Sequence, residues 1–469
     1  MIRLNNWGEI DIKLAIDTLV EMFSCKSITP PSFLHHCYQT SLSNHPLNIP
    51  PNPEITTNIN NLKPIKQMKF LSLLRRTLPA AMLALSASAM AQTVLFHTGD
   101  ATGYPYRIPA ITTTAQGKVV ALTDIRPCGG DIGYGRVDIL GRTSLDGGAT
   151  WGNVQNVLVG TGSGPETGYG DACLVADSKR EELLLVCVSG DVPYWNSRVE
   201  KSQRFVATWG KWNKKTQQWE WQKPVDQTAH VYKELLGGRI NGLFMGSGRI
   251  CQSTKVKVGK YYRLYAALCT HRGNFVLYSD NFGRSWNVLG SATESCAPKG
   301  DEPKCEELPD GSVLLSSRKH GGRYFNVFRF TNAERAEGVW GHPVDSRLAP
   351  GGIKNEGTPC NGEVMIVRAV VDGKRGTYAL QSVPAGPGRR DVSIYWKKLE
   401  KPCDYNTPLR FASNWQGVYQ VSHTSSAYST MTLLPDGRIG FYWEEGERPG
   451  GYDMAFKAIS VEEIVKGKK

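Results

Sequence analysis

The chain has 469 residues and a formal net charge of +12, with 49 glycines, 26 prolines and 12 tryptophans. Long amphipathic helical patterns are scarce, which argues against a helical bundle and for many short strands joined by turns. The charge comes without a lysine-rich block or paired zinc ligands, so it reads as a basic soluble surface and not as a nucleic-acid-binding one.

Residues 27–67 are rich in Pro, Asn, Ser and Thr, a composition expected to be disordered. Met68 to Ala91 has the order of a secretory signal. Lys69, Arg75 and Arg76 form the positive end, Leu78 to Leu85 the apolar core, and Ala89-Met90-Ala91 the small-residue cleavage site. That apolar run is too short to span a bilayer. Such a signal belongs at the start of a chain, so residues 1–67 read as a non-native or disordered upstream extension, with Met68 the true start. No cysteine follows the cleavage site, which argues against a lipoprotein anchor. Residues 92–469 are therefore expected as the exported domain, periplasmic or secreted, without a membrane span. Residues 1–91 hold eight Lys/Arg and five Asp/Glu, so +9 of the charge stays with this domain.

The first informative stretch of the domain is Tyr106-Arg107-Ile108-Pro109, followed by a turn at Gln116-Gly117 and then Asp124-Ile125-Arg126-Pro127-Cys128-Gly129-Gly130-Asp131. A hairpin brings the start of its first strand beside the end of its second. Arg107, Arg126 and Asp131 are thus expected close together. Paired cations with a carboxylate at the rim suggest an anionic substrate and acid/base chemistry.

The same hairpin recurs. Thr114-Ala115-Gln116-Gly117 is echoed by Leu308-Pro309-Asp310-Gly311 and Leu434-Pro435-Asp436-Gly437, each followed by an apolar run. Glycine accepts the positive φ that such turns demand. Counted back from the turn glycines stand Arg107, Glu302 and Tyr428; seven residues after them stand Asp124, Arg318 and Glu444. Polar residues at the open ends of three hairpins point to a radial array of small sheets whose open ends share one face. These residues are expected to form one cluster.

A second repeat, Ser144-Leu145-Asp146-Gly147-Gly148-Ala149-Thr150-Trp151, is echoed by Ser279-Asp280-Asn281-Phe282-Gly283-Arg284-Ser285-Trp286. Turn closure by Asp146 and Asn281, with the Trp packed beneath, accounts for both without catalysis. Gly160-Thr161-Gly162-Ser163-Gly164 lacks the spacing of a phosphate loop and reads as a plain loop. Of Trp195, Trp209, Trp212, Trp219 and Trp221, most are expected in the core and one or two beside a sugar site. Nine cysteines follow the signal; Cys296 and Cys305 are spaced for a small loop disulfide. The histidines show no metal-ligand spacing, and no motif asks for a metal or other cofactor.

Taken together, the Arg-Ile-Pro run, the Ser-x-Asp-x-Gly-x-Thr-Trp box, the following arginine and aspartate, and the late tyrosine resemble the exo-sialidases (neuraminidases) of glycoside hydrolase family 33. The resemblance runs over about residues 93–460 and implies an all-β, six-bladed β-propeller. It implies three arginines around a substrate carboxylate: Arg107, Arg318 and Arg389, with the adjacent Arg390 as the alternative to the last. Guanidinium suits this task because it is planar, charged and bidentate.

By the same resemblance Tyr428 is the nucleophile and Glu302 the carboxylate that activates it. Asp131 is the acid/base, Arg126 contacts substrate hydroxyls, and Glu444 orients Arg107 in preference to Glu445. Sialidases are the exception among retaining glycosidases in using tyrosine. A neutral phenol avoids the repulsion a carboxylate would meet from the substrate's own carboxylate. The expected activity is retaining hydrolysis of terminal sialic acids from glycoproteins, glycolipids and oligosaccharides, by a monomer acting on sialylated glycans. A trans-sialidase and a non-catalytic sialoglycan-binding propeller are the alternatives.

Overall fold

The computed structural model describes residues 92–467. The upstream extension and signal expected at 1–67 and 68–91 lie outside the described residues. The described chain is nearly all β, built from antiparallel meanders of short strands.

The first meander runs through Tyr106–Thr113, Val119–Ile125, Asp138–Ser144 and Gln155–Leu158, each strand antiparallel to the last. The final one runs through Ser426–Leu433, Ile439–Arg448 and Gly451–Ile459, and Thr93–Phe96 adds its outer strand. The two ends of the described chain are thus fastened in one meander. These two groups form one eight-stranded sheet, joined through the pair Tyr106 and Tyr452. Four further sheets are built on the hairpins Tyr169–Ala176 with Glu182–Ser189, Tyr261–Thr270 with Gly273–Ser279, Pro303–Glu307 with Val313–Lys319, and Val364–Val371 with Lys374–Pro384.

The repeated turns have one geometry. The amide of Thr114 donates to the Lys118 carbonyl at 2.8 Å, that of Leu308 to Ser312 at 2.9 Å, and that of Leu434 to Arg438 at 2.8 Å. Gly117, Gly311 and Gly437 take φ of 85°, 93° and 85°. This is the three-residue hairpin loop with a left-handed closing residue, which explains the recurring glycine. Behind these turns the first strands of neighbouring meanders touch: Tyr106–Thr113 meets both Tyr169–Ala176 and Ser426–Leu433, and Val364–Val371 meets Pro303–Glu307 and Ser426–Leu433. The turns therefore lie at one end of these strands and their polar open ends at the other.

Apolar layers between meanders hold them together. Trp286 and Phe282 pack with Leu184, Val186 and Phe205 of the preceding sheet, and Trp443 packs with Val367, Leu380 and Ile394. Truncating such a buried Trp to Ala typically costs about 3–5 kcal/mol. The Ser-Asp and Ser-Asn boxes are turn closures. The amide of Thr150 donates to Asp146 Oδ1 at 2.8 Å and that of Ser285 to Asn281 Oδ1 at 2.9 Å. Trp209 and Trp219 are buried.

One expectation is corrected. Cys296 and Cys305 are both free, as are the other seven described cysteines. Both thiols are buried in one apolar layer, where the Cys296 thiol donates to the Asn274 carbonyl at 3.2 Å and Cys305 sits inside the strand Pro303–Glu307. Among the described residues no helix is long and apolar enough to cross a membrane.

Candidate active site

Three first strands break their ladders where they reach the shared open end. Register shifts fall between Arg107 and Ala110, between Gly170 and Cys173, and between Ser426 and Ser429. Ile108 and Asp171 take the left-handed region there, with φ of 63° and 54°. Bulges of this kind re-aim side chains. Here they turn Arg107, Asp171 and Tyr428 towards one cavity of about 320 Å³, also lined by Asp131, Asp301, Glu302, Arg318 and Arg389.

Glu444, fully buried beneath that cavity, ties two of the bulges together. Its carboxylate accepts from Arg107 Nε at 2.7 Å and Nη2 at 3.4 Å, from the Ile108 amide at 2.8 Å and from the Tyr428 amide at 3.1 Å. Burial opposes the charge of Arg107, but Glu444 more than offsets this and raises its pKa. Glu445 points elsewhere and accepts from Trp443 Nε1 at 2.6 Å.

The Tyr428 phenol donates to Glu302 Oε1 at 2.5 Å and accepts from Arg318 Nη1 at 3.2 Å. Arg318 also donates to Glu302 Oε2 at 2.8 Å and lies 3.2 Å from Asp301 Oδ2. Burial, reinforced by the Glu302 charge, pushes the phenol well above its usual value, and Arg318 opposes the rise. The hydroxyl is thus neutral at rest, with a carboxylate already placed to take its proton. The guanidinium carbons of Arg107 and Arg389 each stand 5.6 Å from the centre of the Tyr428 ring. Arg390 is exposed and does not line the cavity.

Asp131 sits at the rim with its side chain 75% exposed, held by Arg126. Arg126 is buried and reaches back to Asp124 Oδ2 at 3.2 Å. Burial raises the carboxyls of Asp124, to about 6, and of Asp171, despite the Arg126 charge beside them. Every sequence-selected residue therefore lies in or directly beneath this one cluster.

Several further residues line the cavity, among them Asp171, Asp301, Tyr194 and Phe244, which no sequence motif marks. Asp171 stands at the open end of a hairpin whose turn carries no glycine, so there was nothing to count from. Asp301 is the neighbour of Glu302. Tyr194 and Phe244 form an aromatic wall with Trp195, one of the tryptophans considered for a sugar site; Trp195 is 75% exposed and stacks on His271 with centroids 5.8 Å apart. A larger cavity of about 820 Å³, beside Trp396 and Trp415, contains no arginine and lies apart from this cluster. Charge chemistry, and not size, marks the site.

A sialidase from Micromonospora viridifaciens is 28% identical over 369 residues, 73% of this chain and 50% of that protein. This chain is a relative of the sialidases. It spans about half the length of that relative. A Hadza microbial sialidase superposes with a TM-score of 0.62 at 20% identity, over 80% of this chain and 69% of that one. The intramolecular trans-sialidase of Ruminococcus gnavus gives a TM-score of 0.63 at 16% identity, over 81% of this chain and 99% of that one. The fold is thus the one these solved sialidase structures share. No family model matches the chain.

Proposed function

We propose that this chain is an exported, retaining exo-α-sialidase of glycoside hydrolase family 33, and that its meanders are the six blades of a propeller. The observation that carries the reading is the Tyr428–Glu302 hydrogen bond of 2.5 Å on a cavity faced by Arg107, Arg318 and Arg389. A buried phenol bonded to a carboxylate and ringed by guanidinium groups suits attack on an anomeric carbon that carries its own carboxylate.

In this reading the three arginines clamp the substrate carboxylate, and Arg126 contacts substrate hydroxyls. Asp131 protonates the glycosidic oxygen as that bond breaks. Tyr428 passes its proton to Glu302 and bonds to the anomeric carbon through an oxocarbenium-like state. Water, deprotonated by Asp131, then displaces the tyrosyl oxygen, which recovers its proton from Glu302. No step asks for a metal or cofactor. The substrates are sialylated glycoproteins, glycolipids and oligosaccharides, and the protein acts as a monomer.

The match to an intramolecular trans-sialidase, covering 99% of that chain, favours a second reading with the same residues and a different acceptor. Hydrolysis of a fluorogenic α-sialoside, with NMR of the first-released sugar, separates them. Sialic acid released as the α-anomer supports the hydrolase. An anhydro sugar, or transfer to added lactose, supports the transferase. No turnover of any sialoside by the folded protein would reject both.

A further inference from the structure

Asp124 stands opposite Arg107 across the ladder between Tyr106–Thr113 and Val119–Ile125, and it is fully buried. Its Oδ2 accepts from Arg126 Nη2 at 3.2 Å and from the Asp171 amide at 3.3 Å. Arg126, also buried, donates through Nη1 to Asp131 Oδ1 at the cavity rim. One guanidinium thus spans a buried carboxylate and an exposed one. Asp124 Oδ1 has no hydrogen-bond partner among the described residues. Burying a carboxylate half-satisfied is unfavourable, so fold stability alone does not account for a carboxylate here.

Two observations make Asp124 the support of the rim. Among the described residues the Arg126 guanidinium bonds only to Asp124 and Asp131, and Arg126 is the only side chain that bonds to the Asp131 carboxylate. Asp131 Oδ2 accepts no bond there and is left to carry a proton. The loop that bears Asp131 also meets Asp124 through the backbone. A Cβ at Gly170 would lie 2.7 Å from Asp124 Oδ2 and 2.9 Å from Ile132 Cδ1, so the bare chain at Gly170 is wedged between Asp124 and the residue after Asp131. The arrangement parallels that of Glu444, which holds Arg107 and the amides of Ile108 and Tyr428 from beneath the same cavity.

We propose that Asp124 is a positioning residue for the acid/base: it fixes Arg126 from beneath, and Arg126 holds the Asp131 carboxyl where the glycosidic oxygen takes its proton. This rests on the reading of Asp131 as the acid/base.

The test compares two substrates at pH 7. An aryl α-sialoside whose phenol departs without a proton has little need of the acid, whereas an alkyl α-sialoside depends on it. The readout is kcat/KM on each for wild type, D124A, D124N, D131A and D124A/D131A, with thermal melts of every variant. D124A should lose about ten- to a hundredfold more on the alkyl than on the aryl sialoside, because a displaced acid slows only the reaction that needs its proton. D124N, which keeps an oxygen for Arg126 without the charge, should fall between wild type and D124A. D131A should show the full dependence on leaving group, and adding D124A to it should change the ratio by less than about twofold. A folded D124A that loses equally on both substrates overturns the inference. Where D124A does not fold, a folded D124N with the wild-type ratio overturns it, and so does a double variant in which the two selective losses multiply. A wild type without turnover, or a D131A with the wild-type ratio, rejects the acid/base reading and this inference with it. A leaving-group-dependent D131A beside an indifferent D124A rejects only the inference.

Discussion

Tyr428 and Glu302 come from hairpins 126 residues apart in sequence, yet the phenol donates to the carboxylate at 2.5 Å. A phenol so bonded has its proton acceptor in place before substrate arrives. Tyr428→Phe keeps the ring and removes only the oxygen that would form the bond to sugar. Turnover of a fluorogenic sialoside should fall by about a hundredfold or more. Glu302 Oε1 loses a donor in the same change, so a stability loss of about 1–2 kcal/mol should appear in a thermal melt. Wild-type turnover in Y428F would show that the phenol is not the nucleophile.

Arg389 and Arg390 are adjacent, and only the first faces the cavity. A guanidinium–carboxylate contact is worth about 1.5–3 kcal/mol, so Arg389→Ala should lower kcat/KM by roughly ten- to a hundredfold. Arg390→Ala should stay within about twofold. The reverse ranking, measured side by side on one substrate, would move the third clamp to Arg390.

The hairpin turns carried most of what the sequence disclosed about this site. Gly117, Gly311 and Gly437 are required by φ near 90°, so they mark where each hairpin reverses and hence which polar residues stand at its far end. Glu444 is separated from Glu445 in the same way, since neighbours on a strand face opposite sides. Asp171 escaped because its hairpin turns through Asp177-Ser178-Lys179-Arg180-Glu181, without a glycine. Trp195 could not be told from its neighbours because its exposure is set by the path of a loop. The pairing of Thr93–Phe96 with Gly451–Ile459 joins strands more than 350 residues apart, and no local pattern announces it. The spacing of Cys296 and Cys305 misled, because it carries no information on where each thiol packs.

Asp124 gives the fold a titration that can be measured. Its carboxyl is raised by burial from 3.8 to about 6, so it holds its proton more tightly folded than unfolded. The stability tied to this proton is complete below about pH 4 and is lost as pH rises through about 6, on the order of 2–3 kcal/mol in all. Asp124→Asn has no such proton to lose. The melting temperature of wild type relative to D124N should therefore decline between pH 4 and pH 7. Asp171, also raised, relaxes downward once the Asp124 charge is removed, which adds to the same trend. A difference that stays flat or grows across that range would contradict the assignment.

Glu444 is the point where Arg107 and Tyr428 share one support. Its carboxylate takes four donors, two from Arg107 and one each from the Ile108 and Tyr428 amides. Glutamine has the same shape but one oxygen and an NH₂ that faces donors. Glu444→Gln therefore leaves at least one buried N–H without an acceptor and Arg107 without its counter-charge. Removing one partner of a buried ion pair costs about 3–5 kcal/mol, which chemical denaturation should register. Freed from its tether, Arg107 should also bind the substrate carboxylate less well, raising KM, while looser seating of Tyr428 lowers kcat. Glu445→Gln is the control, because among the described residues the Glu445 carboxylate accepts only from Trp443 Nε1. Equal losses in the two variants would mean that Glu444 is not the residue joining Arg107 to Tyr428.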